Sequence, residues 1–317
     1  MAPALHSINP DTLPVCRLPV PPFPPWSISR PFVLFDLHAD SDKGSTYSDV
    51  FISRFKEILS RYADRSAFYT DGSKAGDVVA WAAVGSFMVA QRRLPNGASI
   101  YTAELQGILL ALSLTVKSRA TDFIIFSDSL SALEAISKCK FDHPLVIDIL
   151  VKLNRLAGRR NSAIFCWVPS HVGIEGNERV DRAAVEALQH DAYPMPLPWS
   201  DFKPRIAAYI RKSWQETWDT KGENKLHSIK QTLGPPTKQK LPRHSEVVLC
   251  RARIGHTHLT HAFLLKGEGQ PQCGPCLCLL SVEHILLHCP VYANSRAQHF
   301  SASSMSELFS HVKASIN

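Results

Sequence analysis

Proline divides this 317-residue chain before any other pattern does. Nine of the 22 prolines fall in residues 1–31, where Pro21-Pro22-Phe23-Pro24-Pro25-Trp26 leaves too few backbone donors for a helix or a sheet ladder. A second run, Tyr193-Pro-Met-Pro-Leu-Pro198, repeats the effect. Residues 1–46 therefore read as a proline-rich linker or tail and residues 191–200 as a linker, with a sheet-forming body between them.

Within that body the hydrophobic period changes from element to element. Residues 47–65 carry apolar positions at helical spacing and read as a lead-in helix. Ala67 to Asp71, then a glycine turn, then the β-prone stretch from Val78 to Gln91 predict three strands joined by short turns. Leu105, Ile108, Leu109, Leu112 and Val116 form a helical stripe that places Glu104 in the first turn of its helix. Asp122 to Ser127 is a short buried strand ending at Asp128, and Ser131-Ala-Leu-Glu134 has capping-box form for the next helix. Residues 144–156 predict a further helix and 163–168 a fifth strand. A last helix after Gly173 and Gly176 turns Val180, Ala184, Ala187 and Leu188 inward. The order βββαβααβα over residues 66–190 predicts an α/β fold, a mixed five-stranded sheet flanked by helices.

Four acids stand out in that body: Asp71 in Tyr-Thr-Asp-Gly-Ser, Glu104 in Thr-Ala-Glu-Leu, Asp128 in Phe-Ser-Asp-Ser and Asp181 in Gly-Asn-Glu-Arg-Val-Asp. The strand and helix ends that carry them can converge at one side of the sheet. Carboxylates gathered without counter-charge repel by several kcal/mol, so convergence makes sense only around cations. Oxygen-rich carboxylates hold Mg²⁺, and paired divalent ions about 3.5–4 Å apart can clamp both reacting oxygens of a phosphodiester. The loop Trp167-Val-Pro-Ser-His171-Val-Gly offers one imidazole as a proton shuttle, with a loop hydrogen-bond role as the alternative.

Composition narrows the class. At 45% hydrophobic content the chain can bury a sizeable core. No apolar run nears the ~18 residues of a membrane span, and residues 1–6 lack a secretory layout, so an intracellular protein with no membrane partner is expected. Residues 191–317 hold 15 Lys and Arg against 9 Asp and Glu, a net +6 of the chain's +7. That segment could hold single-stranded or duplex nucleic acid by counterion release, or simply be a solvated basic surface. Ile206, Tyr209, Ile210, Trp214 and Trp218 form an aromatic helical stripe that reads as core rather than as a stacking platform.

The strings Tyr69-Thr-Asp-Gly-Ser-Lys74, Tyr101-Thr-Ala-Glu-Leu105, Phe126-Ser-Asp-Ser-Leu130 and Trp167 to Asp181, in that order, resemble the type 1 ribonuclease H domain. More narrowly they are similar to the version in non-LTR (LINE-like) retrotransposon polyproteins. The resemblance implies a ribonuclease H-like sheet and hydrolysis of the RNA strand of RNA:DNA hybrids with two Mg²⁺ or Mn²⁺ ions. It implies that Asp71 bridges both ions, with Glu104 and Asp128 on one and Asp181 on the other, and that His171 assists proton transfer or product release. Ser73 and Asn177 match positions near the scissile phosphate. The basic helix that some relatives insert is missing between residues 138 and 144.

Residues 201–295 read as a small, mainly helical subdomain, and 296–317 as a polar tail. Within it Cys273-Gly-Pro-Cys276, His284 and Cys289 have the form C-x₂-C-x₇-H-x₄-C, which suits one structural Zn²⁺. Retrotransposon polyproteins often end in a similar knuckle. Cys278 and His288 are within reach and could replace a ligand, and reduced buried cysteines are the plain alternative. The expected function is that of a retroelement-derived RNA:DNA-hybrid endonuclease. A catalytically silent nucleic-acid-binding relic is the rival.

Overall fold

The computed structural model describes residues 15–28, 30–39, 47–86, 88–115, 118, 120–234 and 241–311. Residues 1–14 of the proline-rich tail, Val116 and residues 312–317 lie outside the described residues. The chain forms two compact units, residues 1–204 and 205–317.

The first unit opens with two short strands, β1 (Val15–Cys16) and β2 (Val33–Leu34), a helical turn α1 (Asp36–Ala39) and the lead-in helix α2 (Ser48–Arg61). Then come β3 (Ser66–Ala75), β4 (Val78–Gly85), β5 (Val89–Arg93), α3 (Ile100–Thr115), β6 (Asp122–Ser127), α4 (Leu130–Ser137), α5 (Pro144–Gly158), β7 (Ser162–Trp167) and α6 (Glu175–Ala187). Last are β8 (Leu197–Pro198) and α7 (Trp199–Asp219), a helix that continues past residue 204.

The sheet is mixed and has the order β2-β7-β6-β3-β4-β5. It has six strands among the described residues, one more than the five expected, because Val33 and Leu34 pair in parallel with Phe165 and Cys166. A two-residue strand flanked by proline carries no readable alternation, which is why it was not foreseen. Its own Leu34 and nearby Leu37 sit in the main core. β3 and β4 are antiparallel, whereas β3, β6 and β7 run parallel, as βα crossovers require.

Side chains of β4 alternate between two cores. Val79 and Trp81 meet Ala103 of α3, and Ala82 and Val84 meet Val180, Ala183 and Ala184 of α6. α3 and α6 therefore cover opposite faces. On α2, Phe55 sets its ring against Phe126 at 5.1 Å and Tyr69 at 6.5 Å.

Three local expectations change. Ser131 does not cap α4: the helix starts at Leu130 behind Ser129, and Glu134 pairs with Lys138 one turn on. Gly176 lies inside α6 rather than in the loop before it. The run 193–198, expected as a linker, pairs β8 in parallel with β1 and buries Leu197 and Phe202 against Val79, Trp81 and Leu94.

In the second unit, α8 (Arg243–Arg253), α9 (His258–His261) and α10 (Phe263–Lys266) precede a hairpin of β9 (Gln272–Cys273) and β10 (Cys278–Leu279). A π-helical turn at His284–His288, α11 (Ala293–His299) and α12 (Met305–His311) follow. Its small core comprises Val282, Met305, Leu308 and Phe309. The stripe on α7 is not core: Ile206 is 46% exposed, Ile210 44% and Trp214 67%.

Candidate active site

Strand register brings the first two acids together. β3 and β6 pair from Ser66 with Phe123 up to Thr70 with Ser127, so the next step sets Asp71, midway along β3, beside Asp128, just past the carboxyl end of β6. Glu104 arrives from α3, at the fifth residue of the helix rather than in its first turn. The close crossing that delivers it depends on Gly72. A Cβ there would lie 3.0 Å from Ala103 Cβ, 3.1 Å from the Glu104 nitrogen and 3.2 Å from Glu104 Cδ. Asp71, Glu104 and Asp128 each offer a carboxylate oxygen within 4.8 Å of the others.

Burial makes this triad electrostatically costly. Asp71 is 5% exposed and Glu104 8%. Burial, and then the charges of Asp128 and Asp181, push Asp71 up to about 8; the Gly72 backbone N–H acts in the opposite direction. Burial, then Asp71 and Asp128, hold Glu104 well above the usual carboxylate range. A carboxylate pair at ~4 Å repels by ~4 kcal/mol at an effective dielectric near 20, so the ionised triad needs counter-charge.

Asp181 lies midway along α6, at its seventh residue rather than near the amino end. It stands outside the tight triad, although its charge reaches Asp71. Its own group contains His171 and Glu178, all three within 4.8 Å. His171 Nδ1 is 3.9 Å from Asp181 Oδ2, and its side chain is 70% exposed. The His171 backbone adopts φ +56°, the left-handed region that few non-glycine residues occupy. Glu178 escaped sequence reasoning; its signal is the i, i+3 spacing from Asp181 on one helix face. One of its carboxylate oxygens accepts the Gly173 N–H at 3.3 Å.

Asn177 is buried in the first turn of α6, and its Oδ1 has no hydrogen-bond partner. Ser73 stands two residues beyond Asp71 on β3, half-buried and opposite Ala80. α6 approaches β3 closely because Gly176 faces the Tyr69 ring, which a Cβ would overlap at 2.2 Å.

The triad fits a hard divalent cation. All its donors are oxygens, and Glu104 Oε2 is buried with no hydrogen-bond partner among the described residues.

In the second unit, Cys273, Cys276, His284 and Cys289 bring one ligand atom each within 4.8 Å. Cys273 Sγ and Cys289 Sγ are 3.7 Å apart. Four ligands at ~2.3 Å in a tetrahedron place sulfurs ~3.8 Å apart, so this set fits Zn²⁺. Cys278 Sγ lies 3.5 Å from His284 Nδ1 but outside the group of four. His288 turns to Glu283, with Nε2 3.9 Å from Oε1.

A search of curated proteins found no match. One similar solved structure is the N-terminal RNase H domain of a Mycobacterium tuberculosis protein fused to maltose-binding protein. It is 25% identical, covers 39% of this chain and 93% of that one, and has a TM-score of 0.34. RNase H1 from the halophilic archaeon Halobacterium salinarum is 22% identical over 39% of this chain and 97% of that one, with a TM-score of 0.32. The family model for RNase H matches residues 63–189, the span that holds the triad, Asp181 and His171.

Proposed function

We propose that the first unit is an endonuclease that hydrolyses the RNA strand of RNA:DNA hybrids with two divalent metal ions. The observation that carries this reading is the triad of buried Asp71 and Glu104 with half-buried Asp128, in which Glu104 Oε2 has no hydrogen-bond partner among the described residues. Its place within the matched RNase H span supports it.

In this reading Asp71, Glu104, Asp128 and Asp181 would hold two Mg²⁺ or Mn²⁺ ions between them. Bound there, such ions would supply polarisation of the attacking water and counter-charge for the leaving oxygen. The protein residues supply the rest. Burial favours the neutral forms of Asp71 and Glu104, and acting as ligands would release those protons. His171, with Nδ1 turned to Asp181, keeps Nε2 free to move a proton at the departing 3′ oxygen. Ser73 and Asn177 hold the backbone beside the scissile phosphate. Selection of the hybrid rests on 2′-hydroxyls and A-like groove shape, so cutting is independent of base sequence.

The second unit takes one structural Zn²⁺ on Cys273, Cys276, His284 and Cys289, and its basic surface adds sequence-independent affinity for nucleic acid. A retroelement origin is supported by the pairing of this Cys/His segment with the string from Trp167 to Asp181.

Labelled RNA:DNA hybrid with Mg²⁺, offered to the protein and to Asp128→Asn, is the test. Cleavage by the unaltered protein alone is expected. Binding without cleavage by either would sink the enzyme reading and leave a nucleic-acid-binding relic. Cutting of plain DNA duplex would point to a different two-metal nuclease.

A further inference from the structure

The matched RNase H span ends at residue 189, yet the chain turns back into the same unit beyond it. The point of return is Asp201, in the first turn of α7 and 5% exposed. Its carboxylate oxygens are satisfied by the start of α3. Oδ2 accepts the Ser99 N–H at 3.0 Å and the Thr102 hydroxyl at 2.7 Å. Oδ1 accepts the Ser99 hydroxyl at 2.8 Å and stands 2.9 Å from Thr102 Oγ1.

Ser99 immediately precedes α3, and its Oγ accepts the Thr102 N–H at 3.1 Å. That is an N-cap bond to the third helical residue. In an ordinary capping box the third residue would itself be Glu or Gln and would reach back to the cap N–H. Here that residue is Thr102, and an aspartate about one hundred positions later supplies the carboxylate. It also sets a negative charge at the positive end of the helix dipole.

The consequence falls on Glu104, two residues past Thr102. Among the described residues Glu104 Oε2 has no hydrogen-bond partner, and the support the carboxylate does receive comes from a backbone group, the Gly72 N–H of β3, not from a side chain. Its placement follows from the backbone of α3, pressed against β3 at Gly72 with Ala103 Cβ and the Glu104 nitrogen 3.0–3.1 Å from where a Cβ would stand. A shift of the first turn by a few tenths of an ångström carries the carboxylate with it.

We propose that Asp201 is a positioning residue for Glu104. It completes the amino-terminal cap of α3 from outside the matched span and thereby sets the affinity of the triad for its metal. The inference rests on the metal-dependent reading above. Phe202, next to Asp201, is buried in the same apolar cluster as Ala98 and Ala103.

Full-length Asp201→Asn, Thr102→Val and Thr102→Ser test it through Mn²⁺ affinity by calorimetry and hydrogen exchange at the Ala103 and Glu104 amides in metal-free protein. Asp201→Asn and Thr102→Val are expected to weaken Mn²⁺ binding about tenfold and to speed exchange at both amides. Thr102→Ser, which keeps the hydroxyl, should retain wild-type values. Folded Asp201→Asn protein with unchanged Mn²⁺ affinity would overturn the proposal alone. Failure of both Asp201→Asn and Thr102→Val to fold would overturn it too, by making the cap a matter of stability. Wild-type protein that takes up no Mn²⁺ would instead overturn the proposed function, and this inference with it.

Discussion

The indole Nε1–H of Trp167 donates to the main-chain carbonyl of Asp128 at 3.0 Å. β7 thereby ties down the residue that follows β6, just where register has run out and a strand end would otherwise fray. His38 of α1 meets the same indole edge-to-face, with ring centroids 5.3 Å apart. Trp167→Phe keeps the ring but not the donor. It is expected to cost ~1 kcal/mol of stability and to lower hybrid cleavage about tenfold at limiting Mg²⁺. Denaturant melts together with a Mg²⁺ titration of cleavage measure both effects.

The pKa of Asp71, raised to about 8, fixes the direction of a pH effect on the metal-free protein. A buried acid that prefers its neutral form stabilises the fold at low pH, and that stabilisation fades as pH climbs from the unfolded value toward the folded one. Without metal, Tm should therefore fall between about pH 4 and about pH 8. Millimolar Mg²⁺ should flatten the slope, because bound cation favours the ionised triad. Thermal melts across pH, in chelator and in Mg²⁺, decide the matter. A metal-free Tm that rises over this window would contradict the triad's electrostatics.

Glu104→Gln removes the charge most penalised by burial while nearly preserving shape. In chelator at pH 8 the variant is expected to melt higher than wild type. In Mg²⁺ the order should reverse, with hybrid cleavage down by about a thousandfold. Stability and function then pull in opposite directions at one residue, as sites built to bind ions demand.

For the second unit, one Zn²⁺ per chain by elemental analysis is expected, and Cys273→Ser or Cys289→Ser should abolish it. With four residues in its buried core cluster among the described residues, that unit should lose helical circular dichroism on chelation. Cys278→Ser should keep the metal, because its sulfur stands outside the group of four. Loss of zinc from Cys278→Ser alone would reassign the ligand set.

How much could be read without coordinates follows residue by residue. Asp71 and Asp128 were legible because each closes a run of apolar, β-prone residues, and parallel register does the rest. Glu104 was legible as a helix residue, though α3 starts earlier than its apolar stripe because Ser99 and Asp201 cap it from outside the pattern. Glu178 was passed over because one acid among several on a polar helix face carries no local mark. Val33–Leu34 and Leu197–Pro198 are too short for any period to show, and their proline neighbours argue for coil. The α7 stripe has helical spacing, but spacing says only which residues share a face, and Trp214 faces solvent.

The strand at Val33–Leu34 has a practical consequence. Trimming the protein to residues 63–189 would strip β7 of its outer partner and expose the outward-facing backbone groups around Phe165 and Cys166, including the Phe165 N–H that now donates to Phe32 at 3.0 Å. A bare, apolar sheet margin recruits other chains. The isolated domain should self-associate where the longer chain stays dispersed.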